Sequence, residues 1–203
     1  LHLDLDSATG RRHLERIAVA TERLKALVDD IIDVSQLETN ALALRRSPTA
    51  LDGLLRALMA ERAETPGARP VSLQVPRGLP RIDVDATRVR QVIGNLVQNA
   101  EKHTGRAVSI EIRARWLDRA TVVVTVVDGG GGIAAPDRDH VFERFYRAED
   151  ARDRHSGGSG IGLAITKALV EAHGGTVRAA SGGRGSGSTF VVSLPAAPAT
   201  PAR

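Results

Sequence analysis

Residues 121–127 constrain the fold of this 203-residue chain more than any other segment. All seven are valine or threonine, so every residue of the segment is β-branched. β-Branched side chains favour extended backbone, and a run without polar alternation is typical of a strand covered on both faces. The segment therefore predicts a strand that is buried on both faces or central in a sheet.

The elements around this strand do not alternate regularly between strand and helix. The patterns predict further strands at residues 71–75, 107–115, 176–180 and 188–194, and helices at 49–64, 85–102 and 160–173. Thr49 and Asp52 form a predicted capping box for the first of these helices, and Asp85 is the predicted cap of the second. We expect an α+β fold, a two-layer α/β sandwich of about five strands and three helices, rather than a doubly wound sheet.

A long helix is predicted ahead of this domain. Residues 11–44 contain neither proline nor glycine, and their apolar residues recur at helical spacing. The apolar stripe is wider than that of a surface helix, which favours packing in a hairpin or against another chain over packing on its own domain. We expect a helical region at 1–47, a globular domain at 48–195 and a flexible tail at 196–203.

The composition excludes several classes of site. The chain has no cysteine, which rules out disulfides, zinc–thiolate centres and a cysteine nucleophile. Five aromatic residues are too few for a protein that stacks bases on aromatic platforms, and charges of both signs are interspersed. We expect no nucleic-acid partner, although the sequence pI of about 10.3 keeps that alternative open.

The first candidate site follows the β-branched run directly. Residues 128–133 fit the pattern D-x-G-x-G-I, which places Asp128 at the end of a strand. A carboxylate fixed there can accept a hydrogen bond from an exocyclic amine, while Gly130 and Gly132 let backbone approach a flat ring. The pattern alone is also compatible with a flexible turn.

Two further motifs have the chemistry of a phosphate and metal site. Residues 158–163 place three glycines at alternate positions before a helix, where backbone N–H groups bind phosphate oxygens. This spacing fits neither the dinucleotide-binding fingerprint nor a P-loop. Asn95 and Asn99 lie on one helix face with Lys102 a turn later, and amide oxygens and an ammonium group suit Mg²⁺ and phosphate. A plain polar helix face is the alternative.

These motifs occur in an order that resembles the catalytic, ATP-binding domain of two-component sensor histidine kinases. That domain is part of the gyrase, chaperone, histidine-kinase and mismatch-repair ATPase superfamily. The matching motifs are the asparagine pair at 95 and 99, the glycine motifs at 128–133 and 158–163, a phenylalanine motif at 142–147 and a glycine-rich motif at 185–190. Residues 23–38 resemble the second helix of the family's dimerisation and phosphotransfer hairpin. Asn95 stands where the gyrase-type ATPases usually have a glutamate, which favours the kinases.

The resemblance implies a role for each residue in these motifs. Asn99 is expected to ligate Mg²⁺, and Asn95 to lie near the metal and the attacking group. Asp128 is expected to bind the adenine amine, while Arg144 and Arg147 neutralise charge on the transferred phosphoryl group. The remaining nucleotide contacts that the resemblance implies are Lys102, His103, Gly130, Gly132, Ile133, Gly158, Gly160, Ile161, Gly162, Leu163 and Thr189.

The resemblance implies an ATP-dependent protein-histidine kinase that uses ATP and Mg²⁺ and passes the γ-phosphoryl group through a histidine to a response-regulator aspartate. It also implies homodimerisation and a cytoplasmic position in a membrane-anchored bacterial sensor. The family's acceptor histidine is followed by an acid and, four residues further on, by a proline, a context that no histidine here has. We therefore expect the chain to begin after that histidine and to contact a membrane only through a missing N-terminal region. The alternative is a nucleotide-binding regulatory module without transfer activity.

Overall fold

The computed structural model of the chain describes residues 8–38, 43–105, 108–118, 120–146 and 160–197. It divides into two compact units, Leu1–Leu42 and Ala43–Arg203. The described part of the first unit is one helix, α1 (Ala8–Glu38), where the sequence predicts a long helix. The predicted end of that helix at residue 44 is wrong, because residues 43–46 are not helical. The domain limits predicted at 47 and 195 stay predictions.

The second unit combines helices with two sheets. Its described helices are α2 (Leu51–Ala63), α3 (Ala86–His103) and α4 (Gly162–Ala172). Its described strands are β1 (Ser47–Ala50), β2 (Val71–Gln74), β3 (Arg81–Val84), β4 (Ile110–Asp118), β5 (Thr121–Asp128), β6 (Thr176–Ala180) and β7 (Ser188–Pro195). Five strands form one sheet in the order β2-β4-β5-β7-β6, antiparallel throughout except between β2 and β4.

The β-branched strand β5 lies in the middle of the five-stranded sheet, as its sequence predicts. Its neighbours are β4 and β7, and Asp128 at its end pairs with Ile110 on one side and Ser188 on the other. Helices α3 and α4 pack against each other and against the sheet. The buried residues of α3 recur at helical spacing and are Val89, Val92, Ile93, Leu96, Val97 and Ala100. The predicted two-layer α/β sandwich is confirmed.

A two-stranded sheet was not predicted. Strand β1 pairs antiparallel with β3, with Pro48 opposite Asp83. Both strands have only four residues and lie next to or contain proline, so their sequences favour turns over strands. The predicted capping box is also wrong, because Ala50 is the N-cap of α2 and the Thr49 hydroxyl donates to the Ser47 carbonyl at 2.9 Å. The predicted cap of α3 is confirmed, since Asp85 accepts from the first-turn N–H groups.

Two residues of the predicted flexible tail, Ala196 and Ala197, make backbone hydrogen bonds. The N–H of Ala196 donates to the Ala120 carbonyl at 2.7 Å, and the N–H of Ala197 donates to the Arg81 carbonyl at the same distance. Ala196 also forms an isolated antiparallel bridge with Ile82 of β3. Residues 198–203 lie outside the described part, so the limits of the tail stay a prediction. Among the described residues, no helix has both the length and the apolar character needed to cross a membrane.

Candidate functional site

Asp128 lies buried where β5 ends, with 3% of its surface exposed. One carboxylate oxygen, Oδ1, accepts two hydrogen bonds, from the N–H of Gly130 at 2.8 Å and from the Thr104 hydroxyl at 3.2 Å. Both donors bind the same oxygen, so neither of them uses Oδ2. A carboxylate can accept about four hydrogen bonds, and this one therefore keeps capacity for a further donor.

The loop after Asp128 needs glycine for reasons of packing within the protein. A Cβ added at Gly130 would lie 2.5 Å from the His103 carbonyl oxygen and 2.7 Å from Asp128 Oδ1. Gly132 has φ +71°, and a Cβ there would overlap the Gly183 carbonyl group. Packing within the protein therefore requires glycine at these positions, in addition to the access to a flat ring that the sequence suggests.

A second loop, residues 181–187, holds the first in place. The Gly131 carbonyl accepts from the N–H of Gly185 at 2.7 Å, and the Gly130 carbonyl accepts from the N–H of Gly187 at 3.1 Å. The Ser181 hydroxyl accepts from the N–H of Ile133 at 3.0 Å and donates to the Gly187 carbonyl at 2.7 Å. The loop after β5 is therefore held by hydrogen bonds along most of its length.

The sequence predicts Thr189 as a site residue but gives no signal for Ser181. A serine beside two glycines is typical of any turn, so the pattern does not indicate the bonds that Ser181 makes. The predicted residue Thr189 lies half-buried on β7, one residue beyond Ser188, which pairs with Asp128. Its register places Thr189 next to the end of β5, so it lies at the border of the candidate site.

Helix α3 carries the two predicted asparagines on one half-buried face. The amide nitrogen of Asn95 donates to the Gly162 carbonyl at 3.2 Å, and the Thr166 hydroxyl donates to the same carbonyl at 2.8 Å. The Asn99 amide makes no hydrogen bond with any residue in the part of the chain that the structure describes. Asn95 therefore ties α3 to the beginning of α4, whereas no described residue bonds to the Asn99 amide.

The last turn of α3 places two basic residues at the surface. Lys102 is exposed and its ammonium group lies 3.4 Å from Gln98 Oε1. The His103 side chain is exposed, while its carbonyl accepts from the N–H of Gly131 at 3.3 Å. The ammonium group and the imidazole are thus both accessible beside the loop that follows β5.

Helix α4 begins without a side-chain cap. Ile161 is its N-cap residue, and the Ile161 side chain makes no capping hydrogen bond. The N–H groups in the first turn of a helix lack intrahelical partners, and the helix dipole favours an anion beside them. Ile161 is buried, whereas Gly162 and Leu163 are partly exposed. Gly158 lies outside the described residues.

The phenylalanine motif contacts the segment before α4. The N–H of Phe145 donates to the Gly160 carbonyl at 3.0 Å, and both residues have positive φ. A Cβ added at Gly160 would lie 3.0 Å from the Cα of Phe145, so the two backbones touch. Phe145 and Arg144 are exposed, and Arg147 lies outside the described residues.

Residues 137–146 contain a compact polar cluster. The Tyr146 hydroxyl donates to Asp137 Oδ1 at 2.6 Å, and His140 Nδ1 lies 2.8 Å from Glu143 Oε1. The hydrogen bond with Glu143 and its charge raise the pKa of His140 above its ordinary value. These contacts lie within the segment itself and give it a defined conformation.

The residues present fit Mg²⁺ only as part of a metal–phosphate complex. Within residues 8–38, 43–105, 108–118, 120–146 and 160–197, no group of three or more histidine, cysteine, aspartate or glutamate side chains can hold a metal ion. Mg²⁺ characteristically keeps several waters and takes one or two protein oxygens together with phosphate oxygens. The half-buried amide of Asn99, which no described residue bonds, can supply such an oxygen, so the donor set suits Mg²⁺ that arrives with a polyphosphate.

Comparison with known proteins agrees with this geometry. The family described as histidine kinase-, DNA gyrase B-, and HSP90-like ATPase matches residues 84–198, more than half of the chain. The sensor-like histidine kinase SenX3 of Mycobacterium tuberculosis is 36% identical over 198 residues, which cover 94% of this chain and 46% of that protein. The chain thus spans about half the length of that curated relative.

Two solved structures share the fold. Full-length ShkA in complex with AMPPNP is 31% identical with a TM-score of 0.76, and the match covers 97% of this chain and 41% of that one. The mycobacterial sensor histidine kinase MprB is 26% identical with a TM-score of 0.61, covering 75% of this chain and 99% of that one. The α/β sandwich of this chain therefore also occurs in the structure of a known sensor histidine kinase.

Proposed function

The chain belongs to the histidine kinase-, DNA gyrase B- and HSP90-like ATPases and is similar to sensor histidine kinases, and on that premise we propose that it is the ATP-binding catalytic part of a protein-histidine kinase. It binds Mg-ATP and transfers the γ-phosphoryl group to a histidine on another polypeptide segment. A response-regulator aspartate is the final acceptor. The domain works in the cytoplasm, where ATP is available.

The main observation that supports this proposal is that the second half of α3 connects the candidate amine site to the candidate phosphate site. Asn95 bonds to the beginning of α4, and Thr104 just after α3 bonds to Asp128. Thr104 is nine positions after Asn95, which corresponds to about 13 Å along a helix. Asn99 lies between them with its amide unbonded by described residues. This order along one helix suits an extended nucleoside triphosphate, with its base at Asp128 and its phosphates toward α4.

The proposed roles follow the same order. Asp128 accepts a hydrogen bond from the adenine amine, with Gly130, Gly132, Ile133 and Thr189 around it. Asn99 supplies an oxygen to Mg²⁺, and the ion, when bound, neutralises charge on the phosphate oxygens. The remaining phosphate contacts come from Lys102, His103 and the segment before and at the start of α4, namely Gly158, Gly160, Ile161, Gly162 and Leu163.

The transfer step has a simple balance. An imidazole nitrogen of the acceptor histidine forms a bond to the γ-phosphorus, and the bond from that phosphorus to the bridging oxygen breaks. ADP leaves with the electron pair, and the imidazole loses its N–H proton. Asn95 lies beside the attacking group, while Arg144 and Arg147 stabilise charge on the transferred group. A carboxylate oxygen of the response regulator then takes the phosphoryl group from the histidine.

Helix α1 provides the surface for dimerisation. Its large apolar side chains that the structure describes are exposed by 46 to 63%, and they are Leu14, Ile17, Leu24, Val28, Ile31 and Ile32. An apolar helix face of this kind loses its contact with water when it packs against other helices. A second copy of the chain supplies such helices in the proposed homodimer.

A transfer assay with a separate acceptor tests the proposal. The chain is incubated with Mg²⁺ and [γ-³²P]ATP, alone and with a separately made helical hairpin that carries the family's acceptor histidine. We expect label on the hairpin only, in a linkage that acid cleaves and base does not, as for a phosphorus–nitrogen bond. An acceptor in which the histidine is replaced by glutamine is the control and stays unlabelled. An unlabelled hairpin despite measurable ATP binding would contradict transfer and support the regulatory alternative.

A further inference from the structure

One side chain from outside α3 holds the end of that helix. Arg69 precedes β2, and its Nη1 donates to the carbonyls of Thr104 at 3.0 Å and Glu101 at 3.5 Å. Its Nη2 donates to the carbonyl of Gly105 at 2.8 Å and to that of Val108. The last carbonyls of a helix lack intrahelical hydrogen-bond donors and carry the negative end of the helix dipole. A planar cation supplies both the missing donors and the opposite charge. Arg69 thereby fixes the backbone at the end of α3.

Thr104 sits inside this fixed segment. It is the C-cap residue of α3, with extended backbone at φ −120° and ψ 136°, and only 8% of its surface is exposed. Its hydroxyl donates to Asp128 Oδ1, the oxygen that also accepts from Gly130. The two donors together hold the carboxylate in one orientation, with Oδ2 left to accept from a ligand.

We propose that Thr104 and Arg69 are positioning residues that set how strongly the site prefers a base with an exocyclic amine. The inference rests on the proposed function, in which Asp128 receives the adenine amine. Neither residue needs to touch the ligand. Arg69 fixes the segment that presents the Thr104 hydroxyl, and Thr104 fixes the rotation of the Asp128 carboxylate. A pre-oriented acceptor loses less conformational entropy on binding than a rotating one.

A merely structural role for Thr104 has a different consequence. If the threonine only fills space beside β5, its replacement disturbs the pocket as a whole and weakens every nucleotide alike. If it orients Asp128, the loss is confined to ligands that carry the amine. A pair of triphosphates that differ only in that amine therefore separates the two roles.

The experiment titrates the folded chain calorimetrically with Mg-ATP and with Mg-purine riboside triphosphate, which lacks the exocyclic amine. Thr104→Val keeps the shape of the side chain and removes the donor. We expect it to weaken ATP binding about tenfold, because a carboxylate that rotates freely must be ordered before it accepts from the amine, and to leave the amine-free ligand unchanged within about twofold. Thr104→Ser restores the hydroxyl and with it the preference for ATP.

Thr176→Val is the matched control. The Thr176 hydroxyl also makes a hydrogen bond, 2.7 Å to Ser193 Oγ, but it lies toward the other end of β7 from Ser188. We expect both ligands to bind this variant as they bind the parent chain. Equal weakening of both triphosphates by Thr104→Val would overturn the positioning role.

Arg69→Lys tests the other half of the proposal without relying on Thr104→Val. Lysine keeps the charge but loses the planar fork that spans four carbonyls. We expect a selective loss of ATP affinity, whereas Arg81→Lys, which removes a guanidinium bonded to the Pro48 carbonyl at 3.2 Å, leaves the preference intact. An unchanged preference in Arg69→Lys would overturn its part in the proposal. A parent chain that binds neither triphosphate would instead contradict the proposed function, and this inference with it.

Discussion

Two adjacent glycines in the loop after β5 should respond very differently to alanine. Gly132 has φ +71°, and a Cβ there would lie 3.0 Å from both the Gly183 carbonyl carbon and Ser181 Oγ, and closer still to the carbonyl oxygen. Gly131 has no atom within 4 Å of such a Cβ and no positive φ. The same substitution at the two positions therefore isolates the effect of loop packing.

The expected magnitude for Gly132→Ala has two parts. Left-handed backbone costs an alanine about 1 to 2 kcal/mol. Relief of the overlap with Gly183 separates the two loops and weakens the bonds from Gly185 to Gly131 and from Ile133 to Ser181, each worth about 1 kcal/mol. The sum is about 3 to 4 kcal/mol. For a chain of this length it lowers the melting temperature by roughly 10 °C.

Urea and thermal unfolding, followed by circular dichroism, measure this difference. We expect Gly131→Ala to change the free energy of unfolding by less than about 0.5 kcal/mol. The measurement is made without nucleotide, so it reports packing within the protein alone. If the two variants are equally stable and Gly132→Ala is impaired only in nucleotide binding, loop packing does not require Gly132. Gly132 would then serve the ligand.

Two further predictions concern Asn99 and the buried His173. Asn99→Ala should abolish the Mg²⁺-dependent part of ATP binding, which is measured as the difference in ATP affinity with and without a chelator. Gln91→Ala on the same helix is the control and should leave that difference intact. Unchanged ATP affinity in Asn99→Ala would contradict the assignment of Asn99 to the metal. His173 is fully buried, donates from Nδ1 to the Leu169 carbonyl and accepts at Nε2 from the Asp85 N–H, so it is held neutral. Burial lowers its pKa, although the Leu169 carbonyl partly opposes this. As the pH falls, the unfolded chain therefore takes up the proton on this imidazole before the folded chain does. The free energy of unfolding should fall as the pH drops below 6.5, the ordinary pKa of the group. The slope is at most about 1.4 kcal/mol per pH unit. Urea unfolding of His173→Leu should show a shallower pH dependence; identical slopes would contradict a neutral His173.

Local signals explain what the sequence could predict. Strand β5 follows from seven consecutive β-branched residues, and the cap at Asp85 from a carboxylate just ahead of an apolar helical pattern. Asp128 is placed by the strand that ends there, and the face shared by Asn95 and Asn99 follows from their spacing of four. Each of these features depends only on residues that are close together in the sequence.

Long-range contacts explain what the sequence could not predict. Arg69 bonds to carbonyls 32 to 39 residues away, and Ser181 bonds to the N–H of Ile133, 48 residues away. Such side-chain to backbone bonds leave no periodic pattern. The pairing of β1 with β3 is also set by tertiary contact, against the local preference of proline-flanked segments for turns.

The most direct test of the account measures the affinity of Asp128→Asn for Mg-ATP and Mg-GTP by calorimetry. Asparagine keeps the size of the side chain but removes the negative charge that accepts from an amine at the base edge. GTP presents a carbonyl where ATP presents that amine, so it gains nothing from the carboxylate. We expect at least about a tenfold loss for ATP and little change for GTP. An equal loss for both nucleotides would contradict it and assign Asp128 to structure alone.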